Sequence, residues 1–99
     1  MNIIQDIISG IKEGNLTKDQ LEDYSSMLDI LCAEYELQLA DIEKEEAMFL
    51  ASCEVKTRSG AETIWSSMPA GQKEIELKRN IRAVSKLASS VKTRIYQRL

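Results

Sequence analysis

Apolar side chains recur along this chain with the spacing of an α-helix in separate segments. The first segment predicts a helix over residues 2–13, with five isoleucines on one face. These are Ile3, Ile4, Ile7, Ile8 and Ile11. A helix of this length is not stable alone in water, so we expect the isoleucine face to pack against another surface.

The second segment predicts one long helix over residues 18–56. Thr17 and Gln20 have the spacing of a capping box, in which the two side chains accept hydrogen bonds from backbone N–H groups of the first turn. No glycine or proline follows until residue 60, which favours a helix of roughly 58 Å at 1.5 Å per residue. Its apolar stripe is Leu21, Tyr24, Leu28, Leu31, Tyr35, Leu39, Ile42, Phe49 and Cys53. Glu45 and Glu46 stand where one step of this stripe is missing.

The connection after residue 56 contains the pattern of a further short helix. Ser59 and Glu62 repeat the capping-box spacing, which predicts a helix over residues 61–68. Pro69 is expected to end or bend it. A last helix is predicted over residues 72–98 because its apolar residues alternate steps of four and three. They are Leu77, Ile81, Val84, Ala88, Val91 and Ile95.

These segments predict an all-α fold in a single helical domain of residues 1–99. The two long helices bury their stripes most simply as an antiparallel, coiled-coil-like hairpin, with the short N-terminal helix packed on it. A turn centred near Thr63 would place Phe49 opposite Leu77. It would also bring Glu43 and Glu46 near a set of basic residues, Arg79, Arg82 and Lys86. Two sources remain open for a third layer: the isoleucine face of the same chain, or that of a second chain in a homodimer.

Charge is divided unequally between the two halves of the sequence. Residues 1–54 contain thirteen Asp and Glu against three Lys, a net charge of −10. Residues 55–99 contain ten Lys and Arg against three Glu, a net charge of +7. Each exposed ion pair contributes only about 0.2–1 kcal/mol, so these charges would mainly set the orientation of the hairpin. The division therefore favours two halves that neutralise each other.

Composition narrows the cellular setting. The longest apolar run, Ala47 to Ala51, is far too short for a membrane span. The first residues also lack the positively charged segment with which a secretory signal begins. We therefore expect a cytoplasmic protein, in a bacterium or a host cell, with no membrane partner. Cys32 and Cys53 would lie about 31 Å apart on one helix, beyond disulfide reach, which predicts free thiols. A bond between two chains is the alternative.

The sequence offers little acid–base or nucleophilic chemistry. It contains no histidine, no glycine-rich phosphate loop and no Cys/His group with metal-ligand spacing. The adjacent carboxylates of Glu45 and Glu46 would point to different faces of a helix, unlike a catalytic pair. We therefore expect no enzyme activity, no catalytic residues, no cofactor and no metal.

Two groups of residues are candidates for binding a protein partner. Trp65 and Met68, next to Pro69, could form an exposed aromatic anchor, because tryptophan is enriched at binding hot spots. The alternative is a side chain that fills the end of the hairpin. The second group is the carboxylates Glu43, Glu45 and Glu46, whose alternative is a solvated helix face.

The last helix is the candidate for nucleic-acid binding. Its basic residues could follow a phosphate backbone while Tyr96 stacks on a base. They are Arg79, Arg82, Lys86, Lys92 and Arg94. The acidic balance of the whole chain, with a pI near 5.0, argues against this function and favours charges that are neutralised within the molecule.

The residues from Trp65 to Arg79 and from Lys86 to Arg94 resemble small helical open reading frames of tailed bacteriophages and prophages. Those carry a tryptophan, then a Gly-Gln pair that opens a lysine-rich helix, then a Ser-x-x-Lys-x-Arg stretch. The resemblance covers the last third of the chain and brings no catalytic or binding residues. It implies a phage accessory protein. The patterned helices and the absence of catalytic groups then favour a protein-interaction module that binds a phage or host protein of DNA metabolism or antiviral defence.

Overall fold

A computed structural model describes residues 3–97, which form helices and short connections. The helices are α1 (Ile3–Glu13), α2 (Lys18–Ser52), α3 (Arg58–Ser67) and α4 (Pro69–Gln97). The described residues contain no strand. α2 packs against α4, which confirms the predicted all-α helical hairpin with a short N-terminal helix. The helix limits predicted at residues 2 and 98 lie outside the described residues.

The chain divides into two compact units, to each of which α2 and α4 contribute. The first unit contains the residues up to Cys32 and those from Arg82 onward, and the second is Ala33–Ile81. α1 belongs to the first unit and α3 to the second. The prediction of one domain over residues 1–99 stays a prediction.

The core of the first unit confirms that the isoleucine face packs within the chain. Ile7 is fully buried, and its four partners on that face are half-buried. Gly10 is also buried, and a Cβ atom there would come within 2.6 Å of the Leu16 side chain. The other fully buried large side chains of this unit are Leu21, Leu28, Val84 and Val91. A third layer is therefore supplied by the same chain.

Two local features of the first unit agree with the sequence. The Thr17 N–H donates to Gln20 Oε1 at 2.9 Å, and the Gln20 N–H donates to Thr17 Oγ1 at 3.2 Å, which confirms the capping box. α1 ends at Gly14, whose φ of 70° favours glycine. Across the unit, Lys92 Nζ lies 3.3 Å from Asp29 Oδ1, and Ser85 Oγ lies 3.7 Å from Cys32 Sγ. Because the later residue of α2 faces the earlier residue of α4, the helices run antiparallel here.

In the second unit, α3 begins earlier than the sequence predicted. The hydroxyl of Thr57, not that of Ser59, caps the helix by accepting from the Gly60 N–H at 3.1 Å. The predicted capping box of Ser59 and Glu62 is therefore wrong, because a competing hydroxyl stands two residues earlier. α2 correspondingly ends at Ser52 rather than at residue 56.

The corner between α3 and α4 is a single residue. Met68 is extended, with φ −80° and ψ 155°, as expected for a residue before proline. Pro69 is the first residue of α4, a position where its missing N–H costs nothing. The predicted start at residue 72 is therefore wrong. A Cβ atom at Gly71 would overlap the carbonyl group of Trp65, so this close approach requires glycine.

The register of the hairpin differs from the predicted one. Glu46 lies opposite Glu74, whereas a turn centred near Thr63 would have placed residue 80 opposite Glu46. The difference is about six residues, or ~9 Å along α4 at 1.5 Å per residue. It arises because α2 ends, and α4 begins, three to four residues earlier than predicted.

Candidate functional site

A pair of glutamates joins α2 and α4 in the second unit. Glu46 occupies the position between Ile42 and Phe49 where the apolar stripe of α2 lacks an apolar side chain. Its carboxyl group hydrogen-bonds to that of Glu74 on α4. Two carboxyl groups can share such a bond only when one carries a proton. The residue that interrupts the apolar stripe of α2 therefore makes a polar contact with α4.

Glu74 is the centre of this contact. It is only 8% exposed, and its Oε2 accepts from the indole N–H of Trp65 at 3.2 Å. Its Oε1 pairs with Lys78 Nζ at 3.0 Å, one turn further along α4. Buried carboxylates are stable only when they are hydrogen-bonded in this way. Trp65 and Lys78 therefore stabilise the charged form of Glu74, which can accept a hydrogen bond from the carboxyl group of Glu46.

The two carboxyl groups consequently titrate in opposite directions. The hydrogen bond to Glu74, together with burial and the negative charges of Glu74 and Glu43, raises the pKa of Glu46 to about 7. Burial works to raise the pKa of Glu74, but the hydrogen bonds from Glu46, Lys78 and Trp65 outweigh it and lower the pKa. The hydrogen bond to Glu74 raises the pKa of Lys78. Below about pH 7 the proton of the pair therefore resides on Glu46.

An acid with a pKa near 7 is a group that enzymes also use. Here, however, its hydrogen-bond partner Glu74 is buried and bonded to the indole of Trp65, whose ring packs on Phe49 with centroids 5.6 Å apart. Three cavities on the described surface are lined by other residues. The arrangement is therefore suited to stabilising the packing of α2 against α4, and this stabilisation depends on pH.

The prediction that Trp65 is an exposed aromatic anchor is wrong. The side chain is 5% exposed because its indole N–H finds the buried carboxylate of Glu74 and its ring packs on Phe49. Met68, the second residue of that candidate anchor, is half-buried at the corner. The alternative interpretation, a side chain that fills the end of the hairpin, agrees with this burial.

The three acidic candidates have different surroundings in the structure. Glu46 takes part in the pair, whereas Glu43 and Glu45 are exposed. Glu43 acts on the pair only through its charge, which raises the pKa of Glu46. Glu74, which completes the site, was not among the sequence candidates. A signal for it existed, since Glu74 lies three residues before Leu77 and so on the seam side of the last helix.

Sequence reasoning also missed a second apolar face on α2. Leu37 and Met48 are 70% and 73% exposed. They are 11 residues apart, which is three helical turns, and therefore lie on the same side of the helix. We call this side the outer face of α2 and define it by Leu37, Ala40, Lys44, Met48 and Ala51, all exposed. It is opposite to the buried stripe. The spacing of Leu37 and Met48, off the main stripe, was the available signal.

The outer face is bordered by negative charge. Between residues 33 and 52, the exposed charged residues of α2 are five carboxylates and one lysine: Glu34, Glu36, Asp41, Glu43, Glu45 and Lys44. An exposed apolar strip with charged borders is the usual form of a surface that binds another protein.

A groove of about 430 Å³ opens where α2 gives way to α3. Its apolar lining residues are Ala47, Leu50, Ala51, Val55 and Ala61. Lys56 and Arg58 also line it, and Arg58 is paired with Glu62 at 3.0 Å. Since Ala51 belongs to both the groove and the outer face, the two form one continuous apolar surface.

The candidate nucleic-acid residues of α4 have different surroundings. Lys92 is paired with Asp29, as described above, within the first unit. The remaining four, Arg79, Arg82, Lys86 and Arg94, are exposed. Arg79, Arg82 and Lys86 follow one another at steps of three and four residues, which is the spacing of one helix face.

No protein-family model matches this sequence, and comparisons with curated proteins and with solved structures give no match. Among residues 3–97, no helix is both long enough and apolar enough to cross a bilayer.

Proposed function

We propose that this protein is a non-enzymatic helical interaction module that binds a protein partner through the outer face of α2. The observation that carries the proposal is the exposure of Leu37 and Met48, 70% and 73%, on the side of α2 away from the core. Exposed large apolar side chains aligned on one face are characteristic of binding surfaces, because burying them releases ordered water.

The resemblance of residues 65–94 to bacteriophage open reading frames extends this proposal. We propose a phage accessory protein that acts in the host cytoplasm on a phage or host protein of DNA metabolism or antiviral defence. Within this segment, Trp65 and Gly71 have structural roles, since one is buried against Glu74 and the other permits the tight corner. The resemblance thus supports a shared fold, and the binding surface lies outside the segment that carries it.

Affinity capture followed by reconstitution tests the proposal. The full chain, a Leu37→Ser/Met48→Ser variant and a Tyr96→Ser control are immobilised and exposed to bacterial lysate at low salt. Tyr96 is 74% exposed in the first unit, so its substitution removes a large side chain as exposed as Leu37 or Met48 from a different surface. We expect one protein to be captured by the wild type and the control, and to bind again once purified. Equal capture by the double variant, or no protein above background, would contradict the proposal.

The exposure of Arg79, Arg82 and Lys86 at helical spacing supports an alternative function, nucleic-acid binding by α4. This alternative predicts retention of DNA or RNA that weakens with salt, because each phosphate contact releases a counterion. Substituting all three residues with alanine should abolish retention. Binding that is unchanged in this variant excludes the alternative.

A further inference from the structure

The outer face of α2 and the adjoining groove together restrict the kind of partner. Leu37 and Met48 are about 16 Å apart along the helix, at 1.5 Å per residue. This distance is three helical turns, and beyond Met48 the apolar surface continues through Ala51 into the groove. A straight apolar strip of this length that ends in a groove fits a helix lying along α2.

Charge selects the type of helix. The strip is bordered on one side by the exposed carboxylates of Glu34, Asp41 and Glu45 and on the other by those of Glu36 and Glu43, and Lys44 is its one basic member. A second copy of α2 would bring these carboxylates next to their own copies, and like charges across an interface are unfavourable. A helix with lysine or arginine on both sides of its apolar seam would instead pair with them.

The groove adds a further requirement. Its apolar walls, formed by Leu50, Val55 and Ala61 among others, border an open groove of about 430 Å³, enough room for one large apolar side chain. The outer face itself has only alanine between its larger residues, at Ala40 and Ala51. The groove is therefore the place where a bulky side chain of the partner can be buried.

We infer that the occupant of this surface is a basic amphipathic helix of another protein, with a bulky apolar residue seated in the groove. The inference rests on the proposed function, since it names the partner of the same surface. It differs from that function in specifying charge and shape.

Two synthetic helical peptides test the inference directly. Both carry the same leucine seam with one tryptophan at the groove end, but one has lysine on its flanks and the other glutamate. We expect the full chain to bind the lysine peptide, with affinity that falls as sodium chloride is raised from about 0.05 to 0.5 M. The glutamate peptide should bind roughly tenfold or more weakly, because its charges oppose those of α2. Equal binding of the two peptides would overturn the inference.

Variants of the chain locate the binding. Leu37→Ser/Met48→Ser and the groove-filling Ala51→Trp should each weaken the lysine peptide by roughly tenfold, whereas Tyr96→Ser should not change it. If Ala51→Trp binds like the wild type, the groove assignment is wrong.

Two further outcomes would overturn the inference. A dimer in sedimentation equilibrium that Leu37→Ser/Met48→Ser dissociates would show that a second copy occupies the face. If neither peptide binds while lysate capture still depends on Leu37 and Met48, the proposed function stands and the basic helix is wrong. If capture fails as well, both are wrong.

Discussion

The protonated carboxyl group of Glu46 on α2 donates a hydrogen bond to the carboxylate of Glu74 on α4 below about pH 7. This contact stands at the one step of the α2 stripe that lacks an apolar residue. It joins α2 and α4 through a carboxyl group whose pKa is about 7, so the stability of the second unit should depend on pH in the neutral range.

Stability should fall as pH rises through neutrality. Glu46 has a pKa of about 7 in the folded chain against 4.5 ordinarily, so its stabilising contribution is full below about pH 4.5 and is lost as pH rises through about 7. Glu74, whose pKa is lowered, contributes in the opposite direction, and its share is lost only as pH falls below 4.5. We expect the melting temperature to decrease by several degrees between about pH 5.5 and pH 8. This corresponds to a loss of ~1 kcal/mol, because solvent screening of the half-buried Glu46 reduces the full effect of the pKa shift.

The neighbouring residue Glu45 supplies the control for this effect. Glu46→Gln keeps a donor for Glu74 but cannot titrate, so it should flatten the pH dependence and raise the melting temperature at pH 8. Glu45→Gln makes the same amide substitution at an exposed neighbouring position and should leave the slope as in the wild type. A Glu46→Gln variant with the wild-type slope would show that the pair does not control it.

Glu74 should be energetically coupled to Trp65. Glu74→Ala leaves the buried indole N–H without its acceptor, so urea denaturation should show a loss of about 1–3 kcal/mol in the free energy of unfolding. Trp65→Phe removes the N–H, and in that background Glu74→Ala should cost less. Glu76→Ala, at an exposed site on α4, should change stability by less than about 0.5 kcal/mol. Additive effects of Trp65→Phe and Glu74→Ala would contradict the coupling.

Gly71→Ala should destabilise the protein although it replaces glycine within a helix. Alanine is favoured over glycine in a helix by about 1 kcal/mol, but its Cβ would overlap the backbone carbonyl of Trp65. We expect a net loss of about 1–3 kcal/mol in thermal or urea denaturation. Gly10→Ala should cost less, since its Cβ meets only the Leu16 side chain, which can rotate away. A stabilised Gly71→Ala variant would refute the close approach.

Two leucines of α2 should differ in the cost of truncation. Leu28 is fully buried in the first unit, so Leu28→Ala should lower the free energy of unfolding by about 2–5 kcal/mol. Leu37 is mostly exposed in the second unit, and Leu37→Ala should change it by less than about 0.5 kcal/mol. Equal costs in urea denaturation would mean that the two faces of α2 are wrongly assigned.

Local signals in the sequence predicted the existence of each helix more accurately than the residues at which the helices begin and end. The capping box of Thr17 and Gln20 was correct because it depends on residues within one turn. At α3, two hydroxyls compete to cap the same helix, and the sequence does not decide between Thr57 and Ser59. At α4, Pro69 begins the helix, whereas the sequence was interpreted as ending the preceding helix there. The errors of a few residues at the end of α2 and the start of α4 displaced the register of the hairpin.

The candidate site was partly predictable for the same reason. Glu46 stood out because it interrupts a periodic stripe, a property of one helix. Its partner Glu74 depends on the register between two helices, which the sequence did not determine. Trp65 drew attention as a large aromatic residue, but whether such a residue is exposed depends on the packing of α3 against its neighbours.

The outer face of α2 as a protein-binding surface is the central claim, and site-specific photo-crosslinking tests it most directly. A photoreactive benzoylphenylalanine is placed at Met48, or at Tyr96 as the control, in the full chain produced in bacterial cells. After irradiation, we expect a discrete adduct with one other protein from position 48 and none from position 96. No adduct from position 48, or the same adduct from both positions, would contradict the claim.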